Sequence, residues 1–76
     1  MVRMALRKVM LLWELAGNPR MTQREIAEKT GIRPGTVGAM YHGRIKRIEL
    51  DQIDRLCAVL HCQPGELFER VDDPKR

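Results

Sequence analysis

The sequence predicts an all-α protein, a bundle of five helices, and three observations support this prediction. Apolar residues recur at spacings of three and four in two long segments, which is the period of an amphipathic helix. Residues that start and end helices flank the shorter segments between them. The length of 76 residues suits one domain with a small core and leaves little room for an enclosed active site. We therefore expect residues 1–76 to form a single domain.

The first two helices have clear beginnings and ends. The first is predicted over residues 5–16, because its apolar residues repeat at helical spacing and Gly17 and Pro19 then stop it. The second begins at Thr22, where the run Thr-Gln-Arg-Glu has the form of a capping box. It ends at Gly31, since glycine tolerates the left-handed conformation just past a helix end.

The third helix, predicted over residues 34–42, is unusual in its glycine content. Pro34 is harmless as the first helical residue, and Val37 and Met40 are three apart and can face inward. Gly35 and Gly38 each cost this helix roughly 1 kcal/mol relative to alanine. In return they leave a helix face with almost no side chain, which would let the backbone approach another molecule closely.

The last two helices and the termini complete the prediction. The fourth helix rests on the helical spacing of Leu50, Ile53, Leu56, Cys57 and Leu60, and a short fifth helix is predicted to start at Pro64. Residues 2–4 and 69–71 alternate weakly and could pair as a small two-stranded sheet. The inward positions predict a core of Leu6, Val9, Trp13, Ile26, Ala27, Val37, Met40, Ile53, Leu56, Leu60 and Phe68.

Charge is unevenly distributed along the chain, whose net charge is +4. Residues 20–47 hold seven basic side chains against two carboxylates, whereas residues 49–73 hold seven carboxylates against two basic side chains. A short charged run can be merely solvated, but a protein that presents one face to a polyanion has a reason to separate its charges in this way. The basic middle of the chain is therefore the predicted contact surface.

Several features bear on where the protein acts. The longest apolar run, residues 9–13, is far shorter than the roughly 20 residues that cross a bilayer. The N-terminus resembles a secretory signal, but Glu14 interrupts its apolar part and the core needs the same segment, so we expect it to be retained. Cys57 and Cys62 fall where small buried residues are expected, which favours a reduced, cytoplasmic setting.

The sequence predicts neither an enzyme nor a metal protein. It contains no combination of acid, base and nucleophile that a pocket could assemble, and no cofactor motif. Zinc ligands are usually paired at spacings such as Cys-x2-Cys, whereas Cys57 and Cys62 are five residues apart and should lie far from a shared metal around the helix axis. We interpret the cysteines as buried thiols and His42 and His61 as surface residues.

The run from Met21 to Glu69 resembles the helix-turn-helix domain of the Cro and phage-repressor type, the XRE family. Gln23 opens the second helix, Ala27 allows close helix packing and Gly31 makes the turn. The later segment Leu-Asp-Gln-Ile to Pro-Gly-Glu-Leu is similar to the Cys-x-Pro-Gly-Asp-Leu ending of one branch of the family. The resemblance implies a five-helix lambda-repressor-like bundle with a central helix-turn-helix at about 22–42.

The resemblance also implies which residues would contact double-stranded DNA. The positions of the base-reading helix are occupied here by Arg33, Gly35, Thr36, Gly38, Ala39 and His42. The positions that contact phosphates are occupied by Thr22, Gln23, Arg44, Lys46 and Arg47. Arg33 stands where the family has a serine or threonine cap, and the base-reading set contains few side chains able to form hydrogen bonds.

Taken with the charge pattern, these residues predict a sequence-specific transcriptional regulator, repressor-like and encoded by a bacterium or phage. It would read the major groove with the helix at 34–42 and bind as a homodimer, at least on DNA. Residues 1–4 and the tail after Phe68 are the predicted seam of that dimer. The alternative is a protein-interaction module on the same fold, such as an antitoxin-like or co-regulator domain.

Overall fold

A computed structural model of the chain describes residues 1–72, which form four α-helices, one 3-10 turn and two short strands. In chain order these are β1 Val2–Met4, α1 Leu6–Leu15, α2 Gln23–Thr30, α3 Pro34–Tyr41, α4 Leu50–Leu60, the 3-10 turn Pro64–Leu67 and β2 Phe68–Arg70. The four α-helices lie where the sequence predicts them. None of the helices described is long and apolar enough to cross a membrane.

The fifth α-helix is not confirmed. Residues Pro64–Leu67 make a single 3-10 turn, and Phe68 directly after it is already extended, with φ −127° and ψ 153°. The reason is that Phe68 opens β2, which pairs antiparallel with β1 in the register Val2 to Arg70, Arg3 to Glu69 and Met4 to Phe68. The predicted pairing of the two ends of the chain is therefore confirmed, and it shortens the last helix.

The turn between α2 and α3 follows from local chemistry. The Thr22 side chain accepts a hydrogen bond from the Glu25 N–H at 3.1 Å, and the Glu25 carboxylate accepts one from the Thr22 N–H at 2.9 Å. At the other end of α2, Gly31 adopts the left-handed conformation, with φ 76° and ψ 7°. The Arg55 guanidinium donates to the Thr30 carbonyl at 3.2 Å, so α4 satisfies a free carbonyl at this end.

Helix α3 begins without a side-chain cap. Arg33 makes no capping bond with its side chain, but its extended backbone directs its carbonyl at the N–H groups of Thr36 and Val37, each at 3.0 Å. Pro34 at the first helical position needs no N–H partner. The departure from the family's usual cap therefore does not displace the start of the helix.

The core lies between the four helices and agrees with most of the predicted set. Leu6, Ile26, Val37, Met40, Leu56 and Leu67 are completely buried. Trp13, Ile53 and Phe68, which were predicted to be largely buried, are only partly buried and pack against the edge of the core. Trp13 stays at the edge because its indole N–H donates to the Pro19 carbonyl at 2.7 Å and its ring contacts the His61 ring, 5.6 Å between centroids.

Two glycine substitutions should have opposite effects on stability. We expect Gly31→Ala to lower the free energy of unfolding by about 1–2 kcal/mol, because an L-residue is strained in the left-handed conformation that Gly31 adopts. Gly35→Ala should raise it by about 0.5 kcal/mol, since a Cβ at this helical position meets nothing within 4 Å. Urea unfolding followed by circular dichroism measures both, and a loss of equal size in the two variants would contradict this assignment.

Candidate nucleic-acid interface

The outer face of α3 is nearly bare. Gly35 is exposed with open space around it, and Ala39, four residues on, is half-buried and lies on the same side of the helix. We call Gly35 and Ala39 the bare face. The exposed Arg33 precedes it and the exposed His42 follows it, while Thr36 is half-buried beside it. Four of the six residues expected to contact bases therefore offer at most a methyl group or a hydroxyl.

Gly38, unlike Gly35, is not surrounded by open space. A Cβ built on Gly38 would lie 3.7 Å from the Gln23 side-chain oxygen, so Gly38 is turned toward α2. Val37 and Met40 of the same helix are completely buried. A Cβ at Gly38 would therefore meet the Gln23 side chain at ordinary contact distance, whereas a longer side chain there would compete with the Gln23 carboxamide for the same space.

The start of α2 holds the first pair of residues expected to contact phosphates. Thr22 is exposed, and its hydroxyl oxygen accepts the Glu25 N–H while its own O–H can still donate. Gln23 is half-buried, with its carboxamide beside Gly38. A helix start carries free N–H groups and a partial positive charge, which suits an anion.

The loop between α3 and α4 holds the second group, Arg44, Lys46 and Arg47, which we call the loop cations. All three side chains are exposed, and no salt bridge of theirs occurs within residues 1–72. Ile45 and Ile48 are partly buried against the core and hold the loop in place. This alternation turns apolar side chains inward and leaves the cations in solvent.

Gly43 brings this loop close to the N-terminal strand. It is left-handed, with φ 72°, and a Cβ built on it would lie 3.6 Å from the Arg3 side chain and 3.7 Å from the Met4 carbonyl oxygen. The Arg44 N–H donates to the Ala39 carbonyl at 2.8 Å, which closes the end of α3. The chain therefore leaves α3 in a fixed direction, past β1.

A broad groove of about 890 Å³ lies between β1, α1, the start of α2 and the end of α3. Thr22, Gln23 and His42 open onto it. Its lining also contains five basic side chains and two carboxylates: Arg3, Arg7, Lys8, Arg20 and Arg24, with Glu14 and Glu69. The groove is therefore cationic, even though Arg3 is paired with Glu69 at 2.7 Å.

Arg3, Arg7 and Lys8 were not predicted to belong to this surface, because they lie outside the basic run at residues 20–47. Arg3 lies in β1, and Arg7 and Lys8 lie in the first turn of α1. The signal that could have placed Arg3 is the predicted pairing of the termini, since that pairing brings β1 beside the end of α3.

The cysteines are closer together than the sequence suggested. Their sulfur atoms lie 4.0 Å apart, so the expectation of a wide separation around the helix axis is wrong. The reason is that α4 ends at Leu60 and His61 is left-handed, with φ 53°, which turns Cys62 back toward Cys57. No group of three or more metal-binding side chains occurs among the residues that the structure describes.

Comparison with known proteins shows which family the chain is similar to. Residues 11–73 match the family model of the Cro/C1-type HTH DNA-binding domain. The chain is also similar to the uncharacterized HTH-type transcriptional regulator YozG of Bacillus subtilis (strain 168), with 32% identity over 54 residues. That match covers 71% of this chain and 64% of YozG, so it spans slightly less than two thirds of the relative's length. No solved structure matches the chain significantly.

Proposed function

The chain belongs to the family of Cro/C1-type helix-turn-helix DNA-binding domains, and from this premise we propose that it is a sequence-specific, repressor-like transcriptional regulator. It binds double-stranded DNA through α3 in the major groove. Residues 1–76 act as one domain, with the helix-turn-helix at about 22–42. We expect it to act in the cytoplasm of a bacterial cell, where its DNA would lie.

The observation that best supports this proposal is that two groups of cations adjoin the end of α3. The groove, which Tyr41 and His42 also line, presents Arg7, Lys8, Arg20 and Arg24 beside the start of α2. The loop cations follow α3 in the chain and are exposed. A helix that enters the major groove has a phosphate backbone on either side, so cations near a helix with small side chains suit this docking.

The bare face shifts the balance from base contacts to phosphate contacts. Arg33 can donate two hydrogen bonds to guanine, and Thr36 or His42 can form single ones. Gly35 and Ala39 can contribute only close backbone approach or contact with a thymine methyl. We therefore propose a regulator whose affinity comes mainly from phosphates and whose sequence preference comes from a few positions.

The second candidate function, a protein-interaction module such as an antitoxin-like or co-regulator domain, is favoured by the same bare face. A surface of Gly35, Ala39 and the half-buried Thr36 could also receive a partner's side chains. The cationic groove at the end of α3 favours a polyanion over a typical protein, since the cores of protein interfaces are depleted in charge. DNA remains our first choice for that reason.

We propose a homodimer, at least on DNA, because one protein of this size covers only half of a two-fold operator. The proposed seam is formed by residues 1–4 and the tail after Phe68. The β1–β2 sheet places these two segments side by side, and Met1 and Val2 are exposed apolar residues on it. Residues 73–76 of that tail lie outside the described part of the chain.

Single substitutions at Arg33, Thr36 and His42 should separate sequence readout from general affinity. Each change to alanine is expected to cost roughly 1–3 kcal/mol on the preferred duplex, because one base contact is lost, and to relax the preference at one base position. Fluorescence anisotropy with the preferred duplex and with its single-base variants measures both effects.

The matched control is Lys29→Ala, which removes an exposed charge from the last turn of α2, outside the groove lining. It should weaken binding to all duplexes slightly and leave the base preferences intact. If the three variants at Arg33, Thr36 and His42 behave like this control, α3 does not read bases and the protein-interaction module becomes the better account.

A further inference from the structure

Cys57 and Cys62 form a pair of thiols in contact, away from the nucleic-acid interface. Cys62 donates a hydrogen bond to the Cys57 sulfur, 4.0 Å between the sulfur atoms, and both residues are half-buried. Neither residue lines the cationic groove; Cys62 instead lines a smaller groove of about 290 Å³ with Trp13, His61 and Glu66.

The backbone holds the two residues in place. The N–H groups of His61 and Cys62 both reach the Cys57 carbonyl, the second at 3.2 Å. This is the hydrogen-bonding pattern of a left-handed helix end, in which the residue two past the helix packs against the residue in its last turn. This backbone turn brings the two side chains together, with their sulfur atoms 4.0 Å apart.

We propose that Cys57 and Cys62 are a site of reversible intramolecular disulfide formation, oxidised by exchange with low-molecular-weight disulfides such as oxidised glutathione. The sulfurs are already in contact at 4.0 Å, so a small movement of the two side chains separates them from the disulfide bonding distance of about 2.05 Å. The smaller groove exposes Cys62 to a small reagent. This inference does not rest on the proposed DNA binding.

The exchange balances in two steps. One cysteine thiolate attacks the small disulfide, which forms a mixed disulfide and releases one small thiol. The other cysteine thiolate then attacks the protein sulfur of the mixed disulfide, which forms the Cys57–Cys62 bond and releases the second small thiol. Each protein thiol loses one proton, and the two electrons lost by the protein sulfurs reduce the external disulfide.

The environment of Cys62 makes this reaction dependent on pH. Burial, the neighbouring Cys57 and the Glu66 carboxylate raise the pKa of the Cys62 thiol from 9.0 to about 12. The His61 ring is turned toward Trp13. Because the thiolate is the attacking species, disulfide formation should be faster at pH 9 than at pH 7.

The test uses the full reduced chain incubated with oxidised glutathione, followed by alkylation of free thiols and intact-mass measurement. We expect a monomer that has lost two hydrogens and takes up no alkylating reagent, and whose melting temperature is higher by on the order of 10 °C. Cys57→Ser and Cys62→Ser should each retain one glutathione, because the second thiolate is missing.

Three results would overturn the proposal. In the first, the wild-type protein keeps both thiols free although oxidised glutathione modifies the two single-cysteine variants. In the second, the wild-type protein accumulates stable glutathione adducts. In the third, it forms disulfide-linked dimers in place of the internal bond.

Discussion

Replacing all three loop cations with alanine is expected to weaken binding to every duplex by roughly 100-fold at 0.15 M salt. Each phosphate contact adds about 0.9 to the slope of the log binding constant against log salt concentration. Losing one contact therefore lowers the binding constant by roughly a factor of five at this salt concentration. The slope of log affinity against log salt should therefore fall by up to about 3. The preference among duplexes should be unchanged, since phosphates carry no base identity. Anisotropy titrations at several salt concentrations measure both quantities.

The control for this variant is Lys29→Ala. Lys29 is basic and exposed, and it neither lines the cationic groove nor belongs to the loop cations or the proposed dimer seam. If affinity reflected only net charge, the control should lose about one third of the binding free energy that the triple variant loses. A slope that falls as much per charge in the control as in the triple variant would refute specific phosphate contacts by Arg44, Lys46 and Arg47.

The largest expected effect on stability is that of Leu56→Ala. Leu56 is 0% exposed in the core between α4 and the helix-turn-helix, and truncation of a buried leucine costs about 2–5 kcal/mol. Proteins of this size are stable by roughly 4–11 kcal/mol, so a large part of the total would be lost. Urea unfolding measured by circular dichroism gives the value.

Leu50→Ala is the control for that substitution, because it makes the same chemical change on the same helix. Leu50 is 83% exposed, and surface substitutions usually change stability by less than about 0.5 kcal/mol. Equal losses in the two variants would mean that α4 does not bury Leu56 against the other helices.

The sequence predicted correctly those features of the fold that are determined by residues close together in the chain. The start of α2 at Thr22 and its end at Gly31 follow from side chains within a few residues, and both are confirmed. The last helix was overestimated because its length depends on the pairing of Phe68 with Met4, from the other end of the chain. Helical spacing around Pro64 carries no information about that partner.

In the candidate site, too, some features could be predicted from the sequence and others depend on how the helices pack. The prediction that His42 is a surface residue is confirmed, and Arg33 and the loop cations are exposed as well. That Gly38 faces Gln23, and that Arg7 and Lys8 of α1 share a groove with the start of α2, depends on how the helices pack. The contact between Cys57 and Cys62 escaped prediction because the left-handed His61 breaks the helical rotation that the spacing assumed.

A binding selection from random duplexes at physiological salt tests the central claim most directly, because it reports binding, sequence preference and half-site spacing together. We expect enrichment of a short motif with few strongly specified positions, repeated as two half-sites about one helical turn, roughly 34 Å, apart. Two half-sites would support the homodimer, and a single half-site would remove it while leaving DNA reading in place. Recovery of no preferred duplex would contradict the claim that α3 reads DNA.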